Sequence, residues 1–397
     1  MSALLSALAT PDARRLAIRN PVLLLLCVVA TIALVAAGFL STAPNRLADG
    51  VSLPLWQAPP ALAVLVAACL GGLGCLAIRD ARMSDWAALG LAAGLAVALL
   101  LTASFFAKTL IVAGHPAQRQ ALGPAFWIAF GVAGFAMLDA MQRLALGFPA
   151  RAACLFLLLG LFAGLASAGT FDALSLTREF VSHRTLFVTA LLRHIALVGA
   201  ALVVSILVCA PLIAVVRRGG RTRAAIYSVL SLLQTIPSIA LFGLLIAPLT
   251  FLAGHVPLLR SLGVSGLGVT PALIALVLYF AFPLVRMTDA AFSAVPTEVA
   301  DAARGLGFGV RKRFVAVDLP LALPVLLSGL RVVTLQAIGL ATVAALIGGG
   351  GLGTFIFEGI GEYALDLVLV GAIPVILLAL AADFAFRLVL AAVETPR

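Results

Sequence analysis

The sequence predicts an all-α polytopic membrane protein of about ten transmembrane helices. Three observations predict it. Of 397 residues, 63% are hydrophobic and 11% charged, against about 25% charged in a soluble chain. Apolar runs near twenty residues recur along the whole length, enough for helices to cross a hydrocarbon core of roughly 30 Å. The runs do not alternate in polarity as barrel strands do, and a helix satisfies its own backbone in lipid.

The first five spans are read at residues 21–40, 61–78, 86–106, 124–141 and 152–170. The second five are read at 194–216, 225–247, 271–290, 321–347 and 367–390. Arg14, Arg15 and Arg19 precede Pro21–Leu40. That run is longer than a secretory h-region and is read as a retained span. With the N-terminus inside, the inner segments hold eighteen of the 26 Lys and Arg, including Arg217, Arg218, Arg221, Arg223 and Arg311–Arg313. Seven fall outside, Arg331 falls within a span, and Glu358, Glu362 and Asp366 precede the last span. This bias predicts cytoplasmic termini. The net charge of +10 therefore records topology, and no nucleic-acid partner is expected.

The five cysteines lie in apolar runs without paired spacing, so neither a disulfide framework nor a zinc site is expected. His115, His183, His194 and His255 are scattered, and no metal site is assigned. No nucleophile–base arrangement stands out, so no catalytic residue is named.

The chain divides near residue 171. Residues 1–170 form an N-terminal membrane extension of about five helices with no motif and no assigned role. Residues 171–397 hold every motif, and no internal repeat links the halves. Phe171–Leu192 is a polar external connector with interleaved apolar residues, which suits a surface-lying amphipathic helix.

Within the second half, residues 296–320 interrupt the apolar pattern. Val295-Pro296 suits a helix start with proline at the first helical position. Glu298 and Asp301 follow in the early turns, where the helix dipole favours acids. Ala300, Ala302 and Ala303 keep the helix slim, and Gly305, Gly307 and Gly309 suit its end. Arg311, Lys312 and Arg313 suit anchorage at the membrane surface, and Leu319-Pro320 opens the next apolar run. Gln234 and Pro237 lie in mid-span, where proline predicts a kink. The kink serves either a pathway bend or helix packing. With Gln336 they are the candidate pathway-lining residues. Arg331 is read either at the inner interface or on the pathway. Arg286 with Asp289, and Asp383 with Arg387, have helical pair spacing. Gly348–Gly353 lacks the Gly-Lys-Ser/Thr ending of a phosphate loop and is read as a tight external turn or a close packing point.

From Asp301 to Pro320 the spacing is Asp-Ala-Ala, three residues, Gly307, nine residues, Val317, one residue, Leu319-Pro320. It resembles the signature loop of ABC-importer permeases, with Asp301 where that family usually has Glu and Val317 where it has Ile. Gln234–Ser238, Leu319–Val325, Ile347–Gly353 and Gly371–Pro374 extend the likeness to about residues 180–393, which look like permeases of the osmoprotectant branch (glycine betaine, choline, carnitine). The resemblance implies a type I, MetI-like permease core in the last five helices, set in a bacterial inner membrane. It implies an ATPase-coupling role for Glu298, Asp301, Ala302, Ala303, Gly307, Leu319 and Pro320. It also implies cytoplasmic ABC ATPase subunits, an external solute-binding protein and a second permease subunit, identical or different. No cofactor is expected on this chain, and ATP belongs to the partner ATPase. An amino acid or another small solute remains an alternative cargo. A stand-alone secondary transporter would need intramembrane acids, and Asp289 and Asp383 lie near predicted helix ends.

Overall fold

The computed structural model describes residues 19–45, 48–78, 83–112, 115, 117–261 and 263–394. Arg14, Arg15, Arg46, Arg79, Arg82 and Arg397, which enter the charge pattern, lie outside the described residues. The chain forms two compact units, Met1–Val181 and Ser182–Arg397. Among the described residues nine helices are long and apolar enough to cross a membrane, and Pro21–Ala36 is apolar but only 16 residues long.

The first unit contains α1 (Pro21–Ala36), α2 (Pro60–Ile78), α3 (Met83–Thr109), α4 (Pro124–Arg143) and α5 (Phe148–Ser167). Asn20 caps α1, its Oδ1 accepting from Leu23 N at 2.9 Å. Ala30, Ala77, Ala92, Ala103, Ala129 and Ala133 are fully buried. Such small side chains let helices approach closely, which matters where lipid tails are as apolar as leucine. α5 buries none of its residues within this unit.

Three short strands depart from the purely helical expectation. β1 (Leu40–Ala43), β2 (Val51–Leu53) and β3 (Arg119–Leu122) form an antiparallel sheet in the order β2-β1-β3. The first span accordingly stops at Ala36 instead of residue 40. Ala37 is extended, and Phe39 N donates to Leu53 O at 2.8 Å. A Cβ on Gly123 would lie 2.2 Å from Gly38 O, so glycine is required where α4 leaves the sheet. Strands of three or four residues are too brief for alternation to register in sequence.

The connector forms α6 (Ser175–Ser182), and from Arg184 the chain runs straight into α7 (Arg184–Val216). The expected surface helix over residues 171–192 is thus short, and the spanning helix starts at Arg184, not at 194. Next come α8 (Gly220–Thr235), α9 (Ser238–His255), α10 (Pro257–Ser261) and α11 (Val269–Ser293). The segment expected as one kinked span over 225–247 is two helices. Ile236 is extended (ψ 125°), as the residue before a proline prefers.

The loop that follows α11 carries α12 (Thr297–Gly305) and α13 (Val310–Arg313). A π-helical turn, Phe314–Asp318, leads into α14 (Leu319–Leu340). The expected start at residue 321 is therefore late: helix begins at Val310, and Arg311, Lys312 and Arg313 occupy its first turn. Pro320 cannot donate to the turn before it, which favours a π register there. A 3₁₀ turn (Val343–Ile347), α15 (Gly353–Gly361) and α16 (Leu365–Glu394) complete the unit. α11 lies at its centre: Ala272, Ala275, Leu276 and Val285 are fully buried in one core with Ala201, Val333 and Ala337.

Candidate functional site

The loop between α11 and α14 is built around α12. Pro296 is its N-cap, one residue earlier than expected, and its carbonyl accepts from Ala300 N at 3.3 Å. Glu298, Asp301 and Ala302 are exposed, whereas Ala303 is 5% exposed and faces inward. Asp301 and Arg304 pair at 2.5 Å in full view of solvent, so this ion pair adds little stability. Past the helix end, Gly307 N donates to Arg304 O at 2.9 Å and Phe308 N to Ala303 O at 3.0 Å. That bond pair is a Schellman cap, which requires a left-handed residue after the helix. Gly307 supplies it with φ 76°. Leu306 and Val310 flank the cap at 76% and 81% exposure.

Five of the predicted coupling residues, Glu298, Asp301, Ala302, Ala303 and Gly307, therefore share one short helix and its cap. Leu319 and Pro320 lie beyond the π-helical turn, in the first turn of α14. Behind the loop, a cavity of about 630 Å³ is lined by apolar residues of α7, α11 and α14. Arg217 sits at its edge over the Phe292 ring, 4.6 Å from the centroid, and Arg313 pairs with Asp318 at 3.1 Å.

The break between α8 and α9 brings Gln234 and Pro237 together with Tyr279, which sequence reasoning missed. Gln234 Nε2 donates to Tyr279 O at 3.0 Å. The Tyr279 hydroxyl donates to Ile236 O, the carbonyl at the break. One hydrogen-bonded clamp thus ties the break to α11. The missed signal was a lone tyrosine in the apolar run of α11, a type that seeks a polar partner when buried. Gln336 does not join this group. It is exposed on α14, in a stripe with Ser328 and Val332 at helical spacing.

The charged pairs differ from the local spacing. Asp289 is buried, and its Oδ2 accepts from Arg223 Nη2 and the Tyr227 hydroxyl, each at 2.9 Å. Arg286 instead stacks on Phe282 at 5.9 Å. The expected Arg286–Asp289 pair is thus replaced by one between helices, because a partner on α8 reaches the buried carboxylate. Asp383 meets Arg387 at 2.8 Å, as the i, i+4 spacing predicts, and its other oxygen accepts from Arg331 Nε at 2.5 Å. Arg331 is therefore neutralised across the α14–α16 contact.

Gly348–Gly353 is a packing point. Gly348, Gly350 and Gly351 have positive φ. A Cβ on Gly350 would meet Arg193 Nε at 2.7 Å, and one on Gly351 would meet His194 Nδ1 at 3.0 Å. His194 is fully buried, with Nε2 3.1 Å from Ile338 O.

Residues 201–395 match the family described as binding-protein-dependent transport system inner membrane component. Residues 16–177 match the N-terminal domain of ABC transporter permease YehY. The osmoprotectant import permease protein OsmW of Salmonella typhimurium is 37% identical over 192 residues, covering 48% of this chain and 84% of that protein. The choline transport system permease protein OpuBB of Bacillus subtilis is 35% identical, covering 48% of this chain and 81% of its own length. The glycine betaine/carnitine/choline transport system permease protein OpuCB of Bacillus subtilis is 34% identical over the same shares. With a polytopic helical fold, a capped helix between α11 and α14 and relatives matched over most of their length, the chain belongs to the inner membrane components of binding-protein-dependent transport systems, as a permease subunit of an ABC importer.

Proposed function

We propose that this permease carries osmoprotectants such as glycine betaine inward, driven by ATP hydrolysis on separate cytoplasmic ATPase chains. The named relatives support the cargo, since all three are permeases for compounds of this class. The observation that carries the coupling role is α12. It is a short helix held between Pro296 and the Gly307 cap, presenting Glu298, Asp301, Ala302 and Leu306 away from its own unit. Such a rigid, slim projection suits a groove on the ATPase.

In this reading both termini and α12 face the cytoplasm of a bacterial cell, and a binding protein delivers solute from outside. A second permease, identical or different, completes the pathway. ATP binding draws the ATPases together and moves α12. Motion passes to α11 and α14, the helices joined to the loop. A swing from 1:99 to 99:1 between two states takes about 5.5 kcal/mol of differential stabilisation, so ATPase closure must favour one state by that order. Gln234, Pro237 and the Tyr279 clamp form a bend able to change angle beside the pathway, with Gln336 as a further polar lining group.

The test is capture of the tagged chain from its membrane in mild detergent, followed by uptake in reconstituted vesicles. Recovery of an ATPase and a solute-binding protein, with ATP-dependent glycine betaine uptake, is the expected result. Uptake driven by an ion gradient without ATP would overturn the reading. ATP-dependent uptake of an unrelated solute alone would overturn the cargo.

A further inference from the structure

We infer that the groove between α8 and α11 is a binding site for the headgroup phosphate of an anionic phospholipid. The groove has a volume of about 620 Å³ and opens widely. Its wall carries Arg223, Tyr227, Phe282, Arg286 and Asp289. Ser228, Ser231 and Ser293 also line it.

The charges do not cancel. Asp289 is satisfied by Arg223 and the Tyr227 hydroxyl, which leaves Arg286 as one surplus guanidinium. Phe282 supports it at 5.9 Å, and Tyr227 supports Arg223 at 5.8 Å. Ring contacts of this kind hold a guanidinium while leaving its N–H groups able to donate. Among the described residues, the three serine hydroxyls make no hydrogen bond. A phosphodiester brings one negative charge and acceptor oxygens, which matches one free guanidinium and nearby hydroxyl donors.

Depth selects the source of that phosphate. Arg286 stands about 10 Å along α11 from its end at Ser293, and Arg223 lies in the first turn of α8. This is headgroup level if these arginine-rich ends face the inner surface, and only that orientation is taken from the proposed function. Val229 and Leu232, beside the serines on α8, are 59% and 67% exposed. They offer an apolar track for acyl chains running from the groove. Basic pockets between spanning helices on the cytoplasmic side suit anionic headgroups. A small free solute would find too open a mouth here to be enclosed.

The experiment uses the full chain, extracted from vesicles of phosphatidylcholine and phosphatidylglycerol into mild detergent. Native mass spectrometry reads the phosphatidylglycerol that each molecule retains. Wild type should retain it. Arg286→Gln should lower retention about ten-fold, the loss expected for one hydrogen bond to a charged group, and Arg286→Lys should recover part of it. Arg218→Gln, outside the groove, should leave retention unchanged. Should Arg286→Gln fail to stay monodisperse, Ser228→Phe decides instead, because it fills the mouth from the exposed side of α8 and keeps the charge. Equal retention by all variants, or an equal fall with Arg218→Gln, would overturn the site. Displacement of the lipid by millimolar inorganic phosphate would assign the groove to free phosphate and overturn the lipid. Retention is read without cargo, ATPase or binding protein, so this test can fail while the import function stands, and the reverse.

Discussion

At the residue scale, Gly307 carries the sharpest prediction. Its Cβ would meet nothing within 4 Å, so the need for glycine there is conformational. A β-branched residue held left-handed costs about 1–2 kcal/mol. Gly307→Val should therefore insert at wild-type abundance, loosen the cap and lose most ATP-driven uptake. Ala302→Trp should do the same by bulk, since Ala302 is exposed and carries no packing. Immunoblots of membranes beside uptake assays check both. Normal uptake with normal ATPase capture in both variants would remove the coupling role. Tyr279→Phe tests the clamp. It leaves Ile236 O without its donor and should lower stability by about 1–3 kcal/mol, read as an earlier thermal unfolding midpoint in detergent.

At the element scale, two features govern how the permease unit holds together. The first is the break at Ile236–Pro237. Pro237→Ala restores the missing N–H and relaxes the constraint on Ile236. It should lengthen the continuous helix across 225–247 and slow uptake. Distances between spin labels placed on α8 and α9 would show whether the angle opens. The second is the Asp383 bridge from α14 to α16. Asp383→Leu leaves Arg331 and Arg387 without their shared carboxylate at membrane depth. The expected cost is about 1–3 kcal/mol, below that of a fully buried pair because Asp383 is 23% exposed. Adding Arg331→Leu should return part of it, and chemical denaturation of the single and double variants measures the coupling.

At the scale of the whole molecule, the relatives match about half of this chain but 81–84% of their own length. A permease of that size therefore exists without a counterpart to the first unit. Ser182–Arg397 expressed alone is expected to insert and to capture the ATPase, as seen by co-purification. Loss of capture by an inserted fragment would make the first unit part of the assembly. That unit packs its own alanine-rich core around α3 and α4, which suits a body that folds independently.

The helical, membrane-spanning class was legible in the sequence because lipid demands long apolar runs and internally bonded backbone. The loop over residues 296–320 was legible because its spacing encodes local structure: Pro296 starts the helix, and Gly307 takes the left-handed cap. Other features followed from contacts between residues far apart in sequence. Local spacing paired Asp289 with Arg286, but only the packing of α8 on α11 reveals Arg223 and Tyr227 as its partners. The same packing leaves Arg286 surplus in a groove. The kink at Pro237 was foreseen, yet its division into two helices and its clamp by Tyr279 depend on a neighbour 43 residues away. Arg331 was ambiguous until α16 brought Asp383 to it. Sequence thus determined what each segment must be in lipid and where the loop caps lie. Tertiary structure decided which buried polar groups satisfy one another, since that depends on which helices touch.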